Sequence, residues 1–449
     1  MAVSLKGFHI ELYQEYLEEA SFLYEQRLTL FDDPEITWLD IEDFEERFEP
    51  HIDGLVVGDA LALEVCRQQC EEGDFGELHA AVRVFCRQKR WDLIQSVLDG
   101  LDFEDEERVK AVIDALSQEL PSEWEPRILE MLKANETGRI RIAAHVIGFR
   151  RISAGEALMD LVERDDSKTL VTVIWALGRL REKNAGSLLL KRLQHGDAVT
   201  NPAVALALLR MGDPQALNEC LQHIQTEEWP VLPLALCGGR SEAAFLTDRL
   251  AERSGPDVVM GIGLLGEVPD IEKLLEALGD PESAEFASIA LNLVTGAELF
   301  QEIFVPEEMD PDELFDYEIE KLEQGENLYP PGEEPGTTLL VPARDQGAWS
   351  RWWAKNQTRF QNGIRYRNGE PYSPQCLLNN LKSENSPHLV RQLAYEELVI
   401  RYGIDFPFET DMPVAQQQSG ISDFEAWIEA NGTRFHSGKW YFAGRLMTN

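Results

Sequence analysis

The stretch AAHVIG at residues 143–148 is the first of six apolar phrases that each end in glycine. The copies that follow are VIWALG, ALLRMG, LALCG, IGLLG and LNLVTG, which end at residues 178, 212, 238, 266 and 296. The intervals between the six glycines are 30, 34, 26, 28 and 30 residues. A period near thirty without strand-like alternation predicts a helical-repeat solenoid, a fold that presents a long surface to a partner.

Each repeat is predicted to be a pair of helices. Val171–Leu180 reads as an apolar helix whose glycine supplies the left-handed backbone on which a helix ends. A polar turn leads into a second apolar helix, of which Ala157–Val162 and Ala185–Leu193 are examples. Leucine and isoleucine at three- and four-residue spacing give each helix one apolar face, and neighbouring pairs must stack to bury it.

The composition indicates a globular protein with more than one structural unit. The chain has 449 residues, of which 44% are apolar. No stretch approaches the roughly 18 apolar residues of a membrane-spanning helix, and the first twenty residues lack the pattern of a secretory signal. Six cysteines, at positions 66, 70, 86, 220, 237 and 376, fall mostly in apolar helices. This usage predicts reduced, buried thiols in a cytoplasmic protein that has no membrane partner.

The net charge of −40 is concentrated in two segments. Residues 1–60 hold 16 acidic and 3 basic side chains, a net of −13, and residues 301–335 hold 13 and 1, a net of −12. Two interpretations remain open: a solvated surface that prevents association, or a surface that attracts a basic partner. Direct binding of nucleic acid is disfavoured, because a phosphate backbone needs Lys and Arg to neutralise it.

Four regions are predicted along the chain. Residues 1–135 form an N-terminal helical region of divergent or capping repeats, and residues 136–300 form the regular solenoid. Residues 301–342 form an acidic, proline-rich insert or linker. Residues 343–449 form a C-terminal helical region that carries a small mixed α/β segment. The predicted fold class is therefore all-α, an α-solenoid with this segment at its end.

The C-terminal region contains an internal duplication. NQTRFQNG at residues 356–363 matches NGTRFHSG at residues 431–438, and the match continues as IRYRNG and KWYFAG to residues 369 and 444. Trp353 and Trp427 precede the two copies. Each copy predicts an aromatic helix, a turn and a short extended ribbon.

The repeated aromatic residues have two interpretations. Large aromatic side chains at repeated positions usually pack, so the tryptophans, Phe360 and Phe435 predict a small core that closes the array. The alternative is an exposed aromatic–arginine surface, with Trp353, Arg359 and Arg434, that binds a partner.

The sequence contains no convincing catalytic, cofactor or metal site, and we predict a protein that is not an enzyme. GIGLLG at residues 261–266 matches the dinucleotide-binding string, but no strand precedes it and it follows the solenoid period. Cys66 and Cys70 lie one helical turn apart, and the spacing to His79 and Cys86 fits no common zinc site. The eight histidines form no cluster with acids at catalytic spacing.

The repeats resemble HEAT-like repeats of the phycocyanobilin-lyase type, most clearly from RIRIAAHVIGFRRISAGEALMDLVERDD through TVIWALGRLREKNAGSLLLKRLQHGD. Over the whole chain, the order of parts resembles an uncharacterised proteobacterial family whose members often occur near type VI secretion genes. The segments that carry this resemblance are LEEASFLYEQRL, RFEPHIDGL, the repeat array and the terminal WW and N-x-T-R-F-x-x-G motif. The resemblance implies a HEAT-like α-solenoid and a secretion-linked context, and it supplies no catalytic residues.

The leading hypothesis is a protein-binding scaffold that captures a toxin or effector domain, such as a basic nuclease, as a type VI secretion immunity protein. An acidic inhibitor can match the charge of a basic nuclease and steer fast association. An effector adaptor or chaperone is the alternative, and a HEAT-fold enzyme such as a DNA glycosylase is disfavoured because it needs a basic face. The predicted contact residues are Glu307, Glu308, Asp310, Asp312, Asp316, Trp353, Arg359 and Arg434.

Overall fold

The computed structural model describes residues 5–31, 33, 36–164, 166–252, 255–306, 321, 328–329 and 335–447. Helices make up most of this part of the chain, with three small antiparallel strand pairs, which confirms the predicted all-α class. The first eighteen helices are α1 (Leu5–Leu30), α2 (Ile41–Val57), α3 (Asp59–Glu72), α4 (Phe75–Arg87), α5 (Trp91–Gly100), α6 (Glu106–Glu119), α7 (Glu125–Met131), α8 (Thr137–Arg150), α9 (Gly155–Met159), α10 (Ser167–Arg179), α11 (Gly186–His195), α12 (Asn201–Met211), α13 (Gln215–His223), α14 (Val231–Cys237), α15 (Arg240–Glu252), α16 (Pro256–Leu265), α17 (Ile271–Ala277) and α18 (Ala284–Thr295).

Helices α4 to α18 alternate between two layers. The even-numbered helices pack side by side, α4 on α6, α6 on α8 and so on to α18, and they form the first layer. The odd-numbered helices from α5 to α17 pack against members of the first layer and form the second layer. Because the apolar faces of both layers meet, one continuous core runs along the stack. This is the predicted α-solenoid.

The same stacking crosses the predicted boundary at residue 135. Helix α6 packs on α8 as α8 packs on α10, and α1 continues the first layer by packing on α4. The helices from α4 to α7 are therefore further copies of the same pair.

Five of the six phrase glycines have one of two structural roles, and Gly238 instead follows α14 in an extended conformation, with a φ of −61°. Three of them follow the last residue of a helix with φ between +58° and +79°, as predicted: Gly212, Gly266 and Gly296. Gly148 and Gly178, however, lie inside α8 and α10, and a Cβ at Gly178 would be 2.9 Å from the Cα of Ala207 in the next first-layer helix. The prediction that each of these two glycines ends its helix is wrong, because the position serves close helix packing. The left-handed position falls instead at Arg151 and Arg181.

Residues after 342 form the C-terminal region, which has four helices and two short hairpins. In both copies of the duplication a hairpin follows a helix, as predicted from the repeated motif. The elements are α19 (Gln346–Asn356), β3 (Tyr366–Arg367), β4 (Glu370–Pro371), α20 (Pro374–Lys382), α21 (His388–Tyr402), α22 (Val414–Asn431), β5 (Tyr441–Phe442) and β6 (Arg445–Leu446).

Each hairpin turn caps the carboxyl end of a helix. In the first copy, the backbone N–H of Asn368 donates to the carbonyl of Leu293 in α18 at 2.7 Å. In the second copy, the N–H of Ala443 donates to the carbonyl of Ile400 in α21 at 2.8 Å. Since the last turn of a helix leaves carbonyls without intrahelical partners, the duplicated motif is a backbone cap that is used twice.

The ends of the predicted linker form an antiparallel two-stranded ribbon. Strand β1 (Phe300–Pro306) pairs along its whole length with β2 (Gly336–Pro342). The strands flank residues 307–335, so both ends of this segment lie at the tip of one ribbon. The sequence prediction had no strand here.

The C-terminal region reaches from α18 back to the start of the chain. Leu30 and Trp38, near the end of α1, are buried in the same core as residues of α20, α21 and α22. Arg27 donates to the backbone carbonyl of Asp411 at 2.8 Å, and the N–H of Val414 donates to the carboxylate of Glu45 at 2.8 Å. The N-terminal helices and the C-terminal region therefore contact each other. Among the described helices, none combines the length and the apolarity that a membrane crossing requires.

Candidate protein-interaction surface

Three arginines from successive first-layer helices form a row at the carboxyl ends of those helices. Arg151 follows α8, Arg179 ends α10 and Arg210 lies in the last turn of α12. We call these three residues the arginine ladder. Their side chains are between 2% and 13% exposed, so the ladder is covered by other parts of the protein.

The covering groups are acids of the C-terminal region. Glu396 of α21 accepts from Arg179 at 2.6 Å and from Arg210 at 2.7 Å, and Glu409 pairs with Arg151 at 3.0 Å and with Arg179 at 2.7 Å. Burial alone would raise the pKa of Glu396, but the charges of Arg179 and Arg210 overcome it and hold the pKa at about 2. Glu396 therefore remains ionised, and its two ion pairs fix α21 across the ends of the solenoid helices.

The next residue, Glu397, is fully buried and forms the centre of a second ionic cluster. Its Oε1 accepts from Arg365 at 2.7 Å, from Arg401 at 3.2 Å and from the Tyr372 hydroxyl at 2.6 Å, and its Oε2 accepts from Arg367. We call these five residues the Glu397 cluster. Burial alone would raise the pKa of Glu397, but the three guanidinium charges hold it below its ordinary value.

The Glu397 cluster has three positive charges and one negative charge, and helix ends compensate for part of the excess. Arg365 donates to the carbonyls of Leu264 and Leu265 at 2.6 and 2.9 Å, at the end of α16. Arg401 donates to the carbonyl of Ala235 in α14 at 2.9 Å. The carboxyl end of a helix carries partial negative charge, so it stabilises a buried guanidinium.

The two ionic networks hold the C-terminal region against the carboxyl ends of the first-layer helices from α8 to α16. These helix ends are therefore covered by the protein's own chain. The long surface that the repeat pattern predicts is therefore covered at this edge of the solenoid. A partner can bind here only if it displaces α21 and both networks, and breaking buried ion pairs costs several kcal/mol. The candidate interaction surface must lie elsewhere.

The β1–β2 ribbon has one face that points outward from the fold. Phe300, Phe304 and Leu340 on this face are 41%, 49% and 61% exposed. The register places Phe304 opposite Thr338 and Leu340 opposite Glu302, so one acid and one hydroxyl share the face with three large apolar side chains. A solvated face of an antiparallel pair is normally polar, so this exposed apolar group is the candidate interaction site.

The opposite face fixes the ribbon to the solenoid. Ile303 and Leu339 form a pair on this face and are half-buried, and β2 contacts α18. At the base, Asn292 of α18 accepts from the N–H of Leu299 at 3.0 Å and donates to its carbonyl at 3.2 Å. The ribbon that carries the apolar outward face is therefore anchored to the solenoid.

The acidic segment, residues 307–335, continues directly from the ribbon tip. It holds 12 acidic residues and 1 lysine, which is a net charge of −11. The predicted contact residues Glu307, Glu308, Asp310, Asp312 and Asp316 belong to it and lie outside the described residues. The exposed apolar side chains of the ribbon and the negatively charged segment are therefore adjacent in the sequence.

The three other predicted contact residues differ in their exposure to solvent. Trp353 is buried at 7% exposure, its indole N–H donates to Glu272 at 3.0 Å, and its ring is 5.3 Å from Phe360, so it belongs to the core. This position agrees with the packing interpretation of the repeated aromatics. Arg359 and Arg434 are exposed. They occupy equivalent places in the two hairpin copies, and each donates to the asparagine three residues earlier.

All six cysteines are free thiols, of which five are buried and Cys70 is half-buried. Burial raises the pKa of Cys70 to about 12, so the thiol is protonated at neutral pH. His79 stacks on Tyr24 with ring centroids 3.7 Å apart. Among the residues that the structure describes, no three His, Cys, Asp or Glu side chains form a group that could hold a metal ion.

Residues 155–236 match the family model for HEAT repeats. The match begins at α9 and ends in α14, and it covers three helical pairs of the two-layer stack. No curated protein matches the chain. The chain is a HEAT-like helical-repeat scaffold, a fold that typically binds other proteins.

Proposed function

We propose that this scaffold captures a basic toxin or effector domain in the cytoplasm, as an immunity protein of a type VI secretion system. The observation that carries the proposal is the outward face of the β1–β2 ribbon, where three large apolar side chains adjoin a segment of net charge −11. Apolar anchors supply most of the affinity of a protein interface, and complementary charge supplies orientation and a fast association rate.

Charge favours a basic protein as the partner. With a net charge of −40, the protein attracts cationic surfaces, and nuclease domains are cationic where they bind phosphate. The same charge repels nucleic acid. The sequence resemblance to a family found near type VI secretion genes supports a toxin or effector as the particular partner.

The experiment is a purification of the intact protein with its partners from its own cells, at low and at high salt. An immunity protein is expected to retain a basic, toxin-bearing protein that salt releases, and co-expression must then rescue cells from that toxin. Retention of a non-toxic effector N-terminus at high salt, without rescue, would favour the adaptor function instead. A partner with neither property would refute both.

Replacing Phe304 and Leu340 with serine is expected to weaken binding of the purified partner about 30-fold or more. Each substitution removes an exposed apolar anchor worth about 1 kcal/mol or more when it is buried in an interface. Val199→Ser is the matched control, because Val199 is 67% exposed on the turn before α12. Affinities are measured by calorimetry, and a double variant that binds as tightly as the control would contradict the ribbon site.

Replacing the five predicted acids of the acidic segment with their amides is expected to slow association and to flatten its salt dependence. Stopped-flow association rates between low and high ionic strength measure both effects. Unchanged rates and an unchanged salt slope would show that the acidic segment does not contact the partner. The five residues are Glu307, Glu308, Asp310, Asp312 and Asp316.

A further inference from the structure

The β1–β2 ribbon has two outer edges, because it contains only two strands. At its base, the backbone N–H of Ala343 donates to the carbonyl of Leu299 at 3.0 Å, directly beyond the pair of Phe300 with Pro342. In an antiparallel ladder, the residue pairs alternate between those that exchange hydrogen bonds and those that do not. The odd-numbered residues of β1 therefore bond to β2, and the even-numbered residues direct their N–H and C=O groups away from β2.

The outward backbone groups of β1 belong to Phe300, Glu302 and Phe304, with the carbonyl of Pro306 at the tip. We call these groups the β1 edge. Among the residues that the structure describes, none makes a hydrogen bond to the β1 edge. An unpaired strand edge is a template on which another chain can add a strand. A ribbon of only two strands also gains stability when a third strand joins it.

The β1 edge is more accessible than the outer edge of β2. Strand β2 packs on α18, and its last two residues, Val341 and Pro342, are half-buried. Phe300, which pairs with Pro342, is 41% exposed. Near the tip, Phe304 on the outward face and Val305 on the opposite face are 49% and 40% exposed. This end of β1 therefore projects from the solenoid with both faces in solvent, where a third strand can reach it.

The side chains along the β1 edge define the chemistry of the strand that fits it. Phe300, Glu302 and Phe304 lie on the outward face, so a neighbouring strand places its own side chains beside two aromatic rings and the carboxylate between them. Pairs of opposite charge, and pairs of an aromatic with a β-branched side chain, stabilise adjacent strands. The fitting strand therefore carries a large apolar residue, a Lys or Arg, and a second large apolar residue at alternate positions.

Charge argues against a second copy of this chain as the added strand. Each copy has a net charge of −40, and the acidic segment beside the ribbon tip accounts for −11 of it. The antiparallel pairing of two β1 strands that uses all three outward N–H groups would also place the two Glu302 carboxylates opposite each other, which is destabilising. A basic segment of another protein meets the opposite situation, because both the β1 edge and the acidic segment attract it.

We propose that the ribbon binds its partner by strand addition, in which an extended basic segment of the partner pairs antiparallel with the β1 edge. The backbone hydrogen bonds supply affinity, and the alternating apolar and basic side chains supply specificity. This inference rests on the proposed function in one respect, which is that the ribbon is the binding site. It adds the conformation and the side-chain pattern of the segment that is bound.

The test is titration calorimetry of the full chain with the blocked peptide KTVTRTVTK, which carries the expected pattern at its odd positions. The peptide is expected to bind with millimolar affinity or better, with its central arginine opposite Glu302. N-methylation of that arginine removes one N–H that faces β1 but keeps every charge and side chain, so it also controls for general attraction to an acidic protein. It is expected to weaken binding about tenfold or more.

Two proline variants compare the two edges of the ribbon. Glu302→Pro removes an outward N–H of β1 without breaking the ladder to β2, because proline is tolerated where the N–H points away from the sheet. It is expected to weaken binding of the peptide about 30-fold or more. Thr338→Pro is the matched control, since it removes the equivalent N–H from the outer edge of β2 and is expected to bind as the wild type does. Glu302→Gln, which removes only the charge, is expected to weaken binding about threefold.

The outcomes distinguish failure of strand addition from failure of the proposed function. No binding at millimolar concentration, equal affinity of the N-methylated peptide, or equal losses in Glu302→Pro and Thr338→Pro would overturn strand addition. A toxin could then still bind the outward face through side chains alone. A free chain that sediments as a dimer, and that Glu302→Pro converts to a monomer, would also overturn it, because a second copy would occupy the edge. If the peptide binds the β1 edge but no toxin-bearing protein is captured, strand addition stands and the immunity function fails.

Discussion

Replacing Glu397 with glutamine is expected to lower the free energy of unfolding by about 3–5 kcal/mol, the cost of removing one partner from a buried ion pair. The substitution keeps the shape of the side chain but leaves three buried guanidiniums, those of Arg365, Arg367 and Arg401, without a carboxylate. The helix carbonyls that Arg365 and Arg401 also contact cannot replace a full negative charge. Urea unfolding, followed by tryptophan fluorescence, measures the loss.

Glu425→Gln is the matched control for this prediction. Glu425 pairs with Lys382 at 2.9 Å, and the two side chains are 43% and 46% exposed. An exposed ion pair contributes about 0–1 kcal/mol, so this variant is expected to unfold almost as the wild type does. If Glu397→Gln lost no more than Glu425→Gln, the Glu397 cluster would not be what holds the C-terminal region in place.

The pH dependence of the Glu397 cluster follows from the sign of its pKa shift. The pKa of Glu397 is lower in the folded protein than in the unfolded chain, despite complete burial, because three arginines surround it. The stabilisation that ionised Glu397 provides is therefore fully present above the pKa of the unfolded chain, near 4.3. It is lost as the pH falls through the lower pKa of the folded protein. The wild type is expected to lose stability on acidification below about pH 4, and Glu397→Gln is expected to lose less. Unfolding midpoints between pH 7 and pH 3 measure the difference.

The second large effect is expected at Gly296, which ends α18. Its φ is +58°, and a Cβ would fall well inside van der Waals contact with the carbonyl oxygen of Asn368. Gly296→Ala must therefore accept about 1–2 kcal/mol of backbone strain. It must also displace the first hairpin, whose Asn368 and Gly369 cap the helix, and each lost hydrogen bond costs about 1 kcal/mol. The expected total is about 3–4 kcal/mol.

The variant Gly403→Ala separates the cost of backbone strain from the cost of displacing a hairpin. Gly403 ends α21 with a φ of +74°, and the nearest heavy atom to its Cβ position is 3.9 Å away, in Ala443 of the second hairpin. This variant carries the same strain but leaves its hairpin in place, so a loss of about 1–2 kcal/mol is expected. Equal losses in the two alanine variants would mean that the hairpin turn is not a tight cap on α18.

The two-layer solenoid was predictable because its signal is local. Six apolar phrases at a period near thirty residues require stacked helical pairs, whatever the rest of the chain does. The roles of individual glycines were less predictable. Gly178 and Gly212 end similar phrases, but one is a site of close helix packing and the other is a left-handed helix end. Both roles favour a residue without a Cβ, and the sequence alone does not distinguish them.

The ionic networks could not be predicted in the same way. Arginines recur near the phrase ends, at 151, 179 and 210, and α21 carries the acidic pair Glu396–Glu397, so the residue types were visible. Which acid meets which arginine depends on how residues more than 180 positions apart pack, as in the pair of Arg210 with Glu396. That arrangement decides which surface of the solenoid is covered.

The ribbon had a weak signal in the sequence. FQEIFVP at 300–306 and GTTLLVP at 336–342 are short and rich in strand-forming residues, but 29 residues separate them. Pairing over such a distance cannot be inferred from local propensity, and the prolines and acids between the two stretches favour a linker. The predicted acidic contact site stays a prediction, and the ribbon adds apolar residues beside it.

Hydrogen exchange of the full chain, with and without its captured partner, tests most directly whether the ribbon is the binding site. We expect binding to protect the backbone of 300–306 and 336–342 and to leave the hairpins at 366–371 and 441–446 as slow to exchange as before. Protection of the carboxyl ends of α8 to α16, together with faster exchange in α21 and an unchanged ribbon, would contradict this account. That result would show that the partner displaces the C-terminal region and binds the solenoid itself.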